Sequence, residues 1–278
     1  MKIAVASGKG GTGKTSVAVS FALSAKDNNV SFVDCDVEEP NGHIFLKPKI
    51  QSKYEFKVIV PKINENLCDY CGKCKEICRF NAITVFGKTI MTFKEMCHSC
   101  LGCFRVCPRG AIEEGERVIG KIEWGTSDKI KFYQGRIRVG EAMSSPLIKE
   151  LKKRALKDSS FLKIFDAPPG TSCPVINTIR GVDYVILVTE PTPFGLHDLS
   201  LAAKTVKKLG IPMGVIINKA GLGDESVEKW CKDSGIEILM KIPFEKKLAE
   251  GYSKGLALIH QKPELYSKFQ KLVERFCR

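Results

Sequence analysis

The chain has 278 residues, which at about 150 residues per domain suggests roughly two domains and a sizeable core. Hydrophobic residues at 44% and charged residues at 27% exclude the disordered and fibrous classes. Lys and Arg outnumber Asp and Glu by 44 to 31, so an acidic partner is expected, whether nucleotide phosphate, nucleic acid, acidic protein or membrane surface.

The first strand-like run, Lys2 to Ala6, follows the initiator Met and leaves no room for a signal peptide. The longest early uncharged stretch, Thr15 to Ala25, is about half of a membrane span. The expectation is a soluble, cytoplasmic protein without a membrane partner. Its basic residues are scattered, and the densest patch, Lys149 to Lys157, lacks the interleaved aromatics of a single-strand binding surface, which argues against nucleic acid.

In chain order the pattern predicts a strand over Lys2 to Ala6, a glycine loop over Gly8 to Gly13, a helix over Lys14 to Lys26 and a strand over Val30 to Asp34, a parallel βαβ opening. After Pro61 a cysteine block interrupts the alternation. A hairpin is predicted over Arg117 to Val139 and a helix over Pro146 to Lys157. Strands follow at Phe161 to Phe165, Tyr184 to Val188, Met213 to Ile217 and Glu237 to Ile242, with helices at Leu196 to Leu209, Glu225 to Ser234 and Pro263 to Phe276. The predicted class is α/β, with a mainly parallel, doubly wound sheet covered on both faces. The cysteine block is then an insertion: residues 1–60 and 116–278 form one discontinuous domain and 61–115 a second, small α+β domain.

Gly8-Lys9-Gly10-Gly11-Thr12-Gly13-Lys14-Thr15 matches the phosphate-loop pattern and lies between a strand and a helix, where that chemistry needs it. The glycines let successive backbone N–H groups converge on phosphate, and the helix N-terminus adds its positive dipole end. Lys14 is expected to reach the β and γ phosphates and the Thr15 hydroxyl to ligate Mg²⁺; Thr12 and Ser16 complete the segment. ATP and Mg²⁺ are the implied ligands.

The additional lysine, Lys9, makes this loop resemble the deviant Walker A motif of the MinD, ParA, Mrp and nitrogenase-iron-protein superfamily. The resemblance implies a P-loop NTPase fold and a nucleotide-sandwich homodimer in which Lys9 touches the partner's ATP. A solvated loop lysine is the plainer alternative. Asp34-Cys35-Asp36 resembles the first switch, which implies that Asp36 positions or deprotonates the attacking water and that Asp34 helps hold the Mg²⁺ shell. Asp166-Ala167-Pro168-Pro169-Gly170 resembles the second switch of the Mrp branch, which implies Asp166 on Mg²⁺ through water and the Gly170 amide near the γ-phosphate. By the same resemblance Asn218 reads adenine and Pro243 lines the base pocket.

Cys68, Cys71, Cys74, Cys78 and then Cys97, Cys100, Cys103, Cys107, followed by Pro108, repeat the bacterial ferredoxin spacing. In two-cluster ferredoxins the fourth cysteine of each run serves the other cluster. The expected 4Fe–4S ligand sets are therefore Cys68, Cys71, Cys74 and Cys107, and Cys97, Cys100, Cys103 and Cys78. Zinc is the competing metal, since CxxC pairs also build zinc sites. Arg79 stands where the second run has a proline, and His98 is read as filler. Cys35 and Cys173 are read as small buried or loop thiols.

These parts predict an ATP-hydrolysing iron–sulfur protein coupling nucleotide state to electron transfer, with a redox or cofactor-assembly protein as unidentified partner. The alternative is an ATP-dependent carrier of iron–sulfur or related cofactors, as in the Mrp branch; there the resemblance implies a transferable cluster on a C-terminal CxxC, which Cys231 and Cys277 do not form. A positioning ATPase like MinD or ParA leaves the eight cysteines without a purpose.

Overall fold

The computed structural model describes residues 1–277, which divide into two compact units. In chain order the elements are β1 (Lys2–Ala6), α1 (Lys14–Ser24), β2 (Val30–Asp34), α2 (Gly42–Leu46), β3 (Lys49–Ile63), α3 (Lys73–Ile77), β4 (Ile83–Phe86), β5 (Thr89–Thr92), α4 (Gly102–Val106), β6 (Ile112–Ser127), β7 (Ile130–Ile137), α5 (Ser144–Leu156), β8 (Leu162–Asp166), α6 (Cys173–Ile179), β9 (Tyr184–Thr189), α7 (Pro193–Lys208), β10 (Met213–Ala220), α8 (Ser226–Asp233), β11 (Glu237–Pro243), α9 (Lys246–Ser253), α10 (Leu258–Gln261) and α11 (Pro263–Cys277). A 3-10 turn occupies Lys94–Met96.

The first unit comprises residues 1–54, 122–136 and the chain from 144 onward. Strand order in the sheet is β11-β10-β9-β1-β8-β2-β7-β6-β3. The strands from β11 to β7 pair parallel, Phe32 facing Phe132 in register with their rings stacked 6.0 Å apart. β7 returns from β6 through the two-residue turn Asp128-Lys129, with Asp128 at φ 50°. The opening βαβ is present with one refinement: β8 lies between β1 and β2.

The central strands are near-continuous apolar runs because both faces are covered. On one face, Ile3 and Val5 of β1, Phe32 of β2 and Ile164 of β8 share a core with Phe21 of α1 and with Leu265, Phe269, Leu272, Val273 and Phe276 of α11. Phe21 meets Phe276 edge-on at 6.1 Å. The apolar stripe of α11 is thus spent on the sheet. On the other face α5 packs beside α6, with Leu147, Ile148 and Leu151 fully buried. Among the described residues no helix is long and apolar enough to cross a membrane.

The second unit comprises residues 55–121 and 137–143, extending beyond 61–115 at both ends. Its small core joins Cys74, Ile83 and Cys103 to Val85, Ile90, Phe104 and Ile112. β4 and β5 form an antiparallel hairpin with Val85 opposite Ile90. The unit is a structural repeat offset by the 29 residues that separate Cys68 from Cys97. Left-handed backbone recurs at that offset: Tyr70 and Ser99 (both φ 55°), Gly72 and Leu101 (78° and 60°), Asn81 and Gly110 (51° and 60°). The short helices α3 and α4 occupy equivalent places.

Candidate functional site

The C-terminal ends of the parallel strands in the first unit carry the residues singled out in the sequence: the glycine loop after β1, Asp34 ending β2, Asp166 ending β8, and Asn218 and Pro243 within the ends of β10 and β11. In open α/β sheets this edge is where ligands bind. A cleft of about 400 Å³ opens there. Lys9, Gly10, Gly11, Thr12, Gly13, Lys14, Thr15 and Ser16 line it together with Asp36, Asn218 and Pro243.

Gly13 takes φ 85° and no side chain caps the N-terminus of α1, so the first N–H groups of that helix are free for an anion. A Cβ on Gly13 would lie 2.2 Å from Asn218 Nδ2. Asn218 donates that amide to the Thr12 carbonyl at 2.8 Å, so it braces the loop as well as lining the cleft. Gly8 packs so tightly that a Cβ would fall 2.2 Å from the Asp198 carbonyl oxygen.

Lys14 Nζ lies 2.7 Å from Asp166 Oδ1 and 4.0 Å from Asp36 Oδ2. Burial works against its charge, but Asp166 and then Asp36 more than offset this and raise the ammonium above its usual range. Burial, reinforced by Asp166, pushes the Asp34 carboxyl up to about 8; burial pushes Asp36 up to about 6 against the pull of Lys14. Asp166 is fully buried and its Oδ2 has no hydrogen-bond partner. With Asp34 engaged by backbone N–H groups, the orphaned Asp166 oxygen beside the Lys14–Asp36 contact is the free carboxylate position that a cation with a phosphate ligand would fit.

Asp34 and Asp166 do not line the cleft itself. Both Asp34 oxygens accept backbone N–H groups, from Asp36 at 3.2 Å and Gly42 at 2.8 Å, so Asp34 shapes the loop after β2. Gly170, at φ 93°, donates its N–H to the Ser7 carbonyl at 2.9 Å, so that amide is engaged within the fold. Cys35 is buried and burial pushes its thiol up to about 12, the state of an inert structural cysteine.

Lys9 is not a free loop lysine. Its Nζ lies 2.6 Å from Glu190 Oε1, and Lys219 holds the other carboxylate oxygen at 2.9 Å while reaching the Gly11 carbonyl at 3.2 Å. Burial acts against the Glu190 charge, yet the two lysines outweigh it and hold the carboxyl below its ordinary range. Glu190 and Lys219 escape sequence reasoning; the available signal was an acidic residue directly after β9 and a lysine directly after Asn218. Phe244, Leu248, Tyr252 and Leu258, from β11 onward, form an apolar wall that the sequence did not single out.

The second unit gathers its eight cysteines into two cavities. One is lined by Cys68, Cys71, Cys74 and Cys107 with Ile63, Val85 and Ile112; the other by Cys78, Cys97, Cys100 and Cys103 with Ile59, Ile83 and Phe104. Each cavity takes its fourth cysteine from the other run. The fourth cysteines are treated alike: Ala82 N–H points at Cys78 Sγ and Ala111 N–H at Cys107 Sγ, both at 3.3 Å. Ser99 N–H approaches Cys97 Sγ at 3.4 Å. Burial pushes the Cys103 thiol up to about 11 and raises Cys74 and Cys97. Among the described residues no three or more His, Cys, Asp or Glu side chains close to the spacing of a single metal ion.

Residues 3–259 match the family described as the CobQ/CobB/MinD/ParA nucleotide binding domain. An uncharacterised protein of Methanocaldococcus jannaschii is 31% identical over 258 residues, covering 92% of this chain and 90% of that protein. The iron-sulfur cluster carrier protein of Pyrococcus abyssi is 24% identical, over 93% of this chain and 79% of its own length. Among solved structures, the septum site-determining protein MinD of Pyrococcus horikoshii, complexed with Mg-ADP, superposes with a TM-score of 0.61 at 20% identity, covering 99% of this chain and 95% of that one.

Proposed function

The chain belongs to the CobQ/CobB/MinD/ParA nucleotide-binding family, and from that membership we propose an ATP-hydrolysing protein that couples nucleotide state to electron transfer through two resident 4Fe–4S clusters. The observation that carries the redox half is the crossed gathering of eight cysteines into two cavities of four, each with backbone N–H groups aimed at sulfur. Cys68, Cys71, Cys74 and Cys107 hold one cluster and Cys97, Cys100, Cys103 and Cys78 the other. Bound there, the clusters would supply one-electron chemistry, and the Ala82 and Ala111 N–H groups would donate to Cys78 and Cys107 Sγ and favour added negative charge on those sulfurs.

In the nucleotide half, the N–H groups opening α1 and the Lys14 ammonium take the phosphates, and Thr15 with the orphaned Asp166 oxygen hold Mg²⁺. Asp36 orients the attacking water and accepts its proton as the β–γ bridge P–O bond breaks. Asn218, Pro243 and the apolar wall take the base. Lys9 acts across a homodimer, which requires it to leave Glu190.

A cofactor carrier is the second reading, favoured by the names of relatives such as the Pyrococcus abyssi protein. Against it, Cys231 is fully buried on α8 and Cys277, ending α11, is half-buried against the core, so neither offers an exposed transferable site. The test is an anaerobic redox titration followed by EPR, with and without MgATP. Two coupled 4Fe–4S signals whose midpoint moves with nucleotide support the proposal. Clusters that leave for an apo-acceptor on ATP addition favour the carrier, and no iron after anaerobic reconstitution overturns both.

A further inference from the structure

The Cys78, Cys97, Cys100 and Cys103 cavity is closed by two rings that also reach solvent. Phe80 and His98 stack face to face, centroids 3.6 Å apart and planes within 7°, and both line the cavity while remaining exposed. Around them Ile77 and Met96 expose 44% and 46% of their surface. Three cations lie close in the chain to residues that line this cavity: Arg79 between Cys78 and Phe80, Lys94 in the turn before Cys97, and Arg105 two residues after Cys103. All three are exposed, and none has an ion-pair partner among the described residues.

The other cavity is framed differently: Lys73 lines it with no stacked ring pair beside it among the described residues, and Arg109 pairs with Asp69 at 3.2 Å. From Lys73 to Arg109 the chain carries seven Lys and Arg against two acids, Glu76 and Glu95, so this stretch is locally basic. A small apolar centre with a cationic rim suits a transient encounter with an anionic surface, where rim charges steer association.

We propose that the surface over the Cys78, Cys97, Cys100 and Cys103 cavity, centred on the Phe80–His98 stack and rimmed by Arg79, Lys94 and Arg105, docks a small acidic one-electron carrier protein. The proposal rests on the iron–sulfur reading and names the partner of that unit. One electron passes from the reduced carrier to the nearer cluster; the carrier is oxidised, the cluster reduced, and no proton or covalent bond changes.

The test uses the full-length, anaerobically reconstituted protein with a strongly acidic plant-type 2Fe–2S ferredoxin as probe and a basic cytochrome c as control. Iron content and EPR are read first, then binding by calorimetry at low and high salt and electron transfer by stopped flow. The expected result is binding to the acidic probe that weakens with salt and falls about 10-fold or more in Arg79→Glu/Lys94→Glu/Arg105→Glu, with iron content and ATPase activity unchanged. The charge-reversed variant should in turn gain affinity for the basic control. A loaded protein that ignores the acidic probe, or binds it equally after charge reversal, overturns the docking proposal and leaves the clusters standing. Absence of 4Fe–4S signals in the wild type sinks the iron–sulfur reading and the docking proposal with it. Should the triple variant lose iron, the single substitution Lys94→Glu, farthest in sequence from any shared helix, decides by its salt dependence.

Discussion

Gly13→Ala tests the link between loop conformation and base-side residue at one atom. The substitution acts twice. At φ 85° a β-carbon costs about 1–2 kcal/mol in the left-handed region. That carbon would also stand 2.2 Å from Asn218 Nδ2, so the amide must move and its 2.8 Å bond to Thr12 breaks, worth about 0.5–1.5 kcal/mol. Together the loss is about 1.5–3.5 kcal/mol, and at about 2–4 °C per kcal/mol for a large domain Tm falls by roughly 3–14 °C. In an Asn218→Ala background the amide is absent, and only the backbone part, about 1–2 kcal/mol, should remain. Denaturant melts of the four proteins in the cycle measure the difference. Equal losses in both backgrounds would refute the contact, and no loss in either would refute the strained loop.

Three further outcomes follow from the same geometry. Lys14→Ala should abolish ATP turnover with iron content intact, and should cost about 3–5 kcal/mol by stranding buried Asp166, part of which Asp166→Asn recovers; loss of iron in Lys14→Ala would mean the two units are not separable. Cys107→Ser should damage the cluster of Cys68, Cys71 and Cys74 and spare the other EPR signal; damage confined to the Cys97 set would reverse the crossed assignment. Burial acts to raise the Asp158 carboxyl, but the Ser160 N–H, Tyr133 hydroxyl and Lys131 hold it below its ordinary range. Its contribution is therefore complete above the unfolded value of about 3.9 and fades as pH falls below it, so the stability gap between wild type and Asp158→Asn should shrink from neutral pH toward about pH 3. A gap independent of pH would show that the carboxylate charge carries none of it.

The parallel strands were legible because burial on both faces leaves an unmistakable mark: β1, β2, β8 and β9 are short apolar runs followed by turn residues or an acidic residue. What escaped was whatever lacked that mark. β3 reads KIQSKYEFKVIVPKI; Ile50, Tyr54 and Phe56 alternate with Lys49, Gln51, Lys53 and Glu55, but Ser52 interrupts the apolar side and that half stays mostly exposed, so the alternation marks no core. β6 begins at Ile112, five residues before the predicted hairpin, because its first residues EEGE are solvated and keep strand geometry only by pairing. α6 spans seven residues and α10 four, too few turns for a helical period to declare itself.

The site divides along the same line. Motifs whose chemistry is fixed by spacing were readable: the phosphate loop and the cysteine runs need particular residues at particular intervals, and short intervals survive folding unchanged. Residues meeting across long stretches were not. Glu190 lies 181 positions from Lys9, and only the strand order, which sets β9 beside β1, brings the carboxylate to the loop. That contact changes the meaning of the motif residue. A lysine held at 2.6 Å by a carboxylate with low exposure is a committed side chain, and its action on a partner's nucleotide requires an exchange of anions: phosphate for Glu190. The exchange is nearly balanced in kind, one charge-assisted hydrogen bond for another. If the proposed homodimer forms, the energy that favours it must then come from elsewhere in the interface, and Lys219, which would keep Glu190 satisfied once Lys9 left, would lower the cost of the exchange by preventing a buried charge from being stranded.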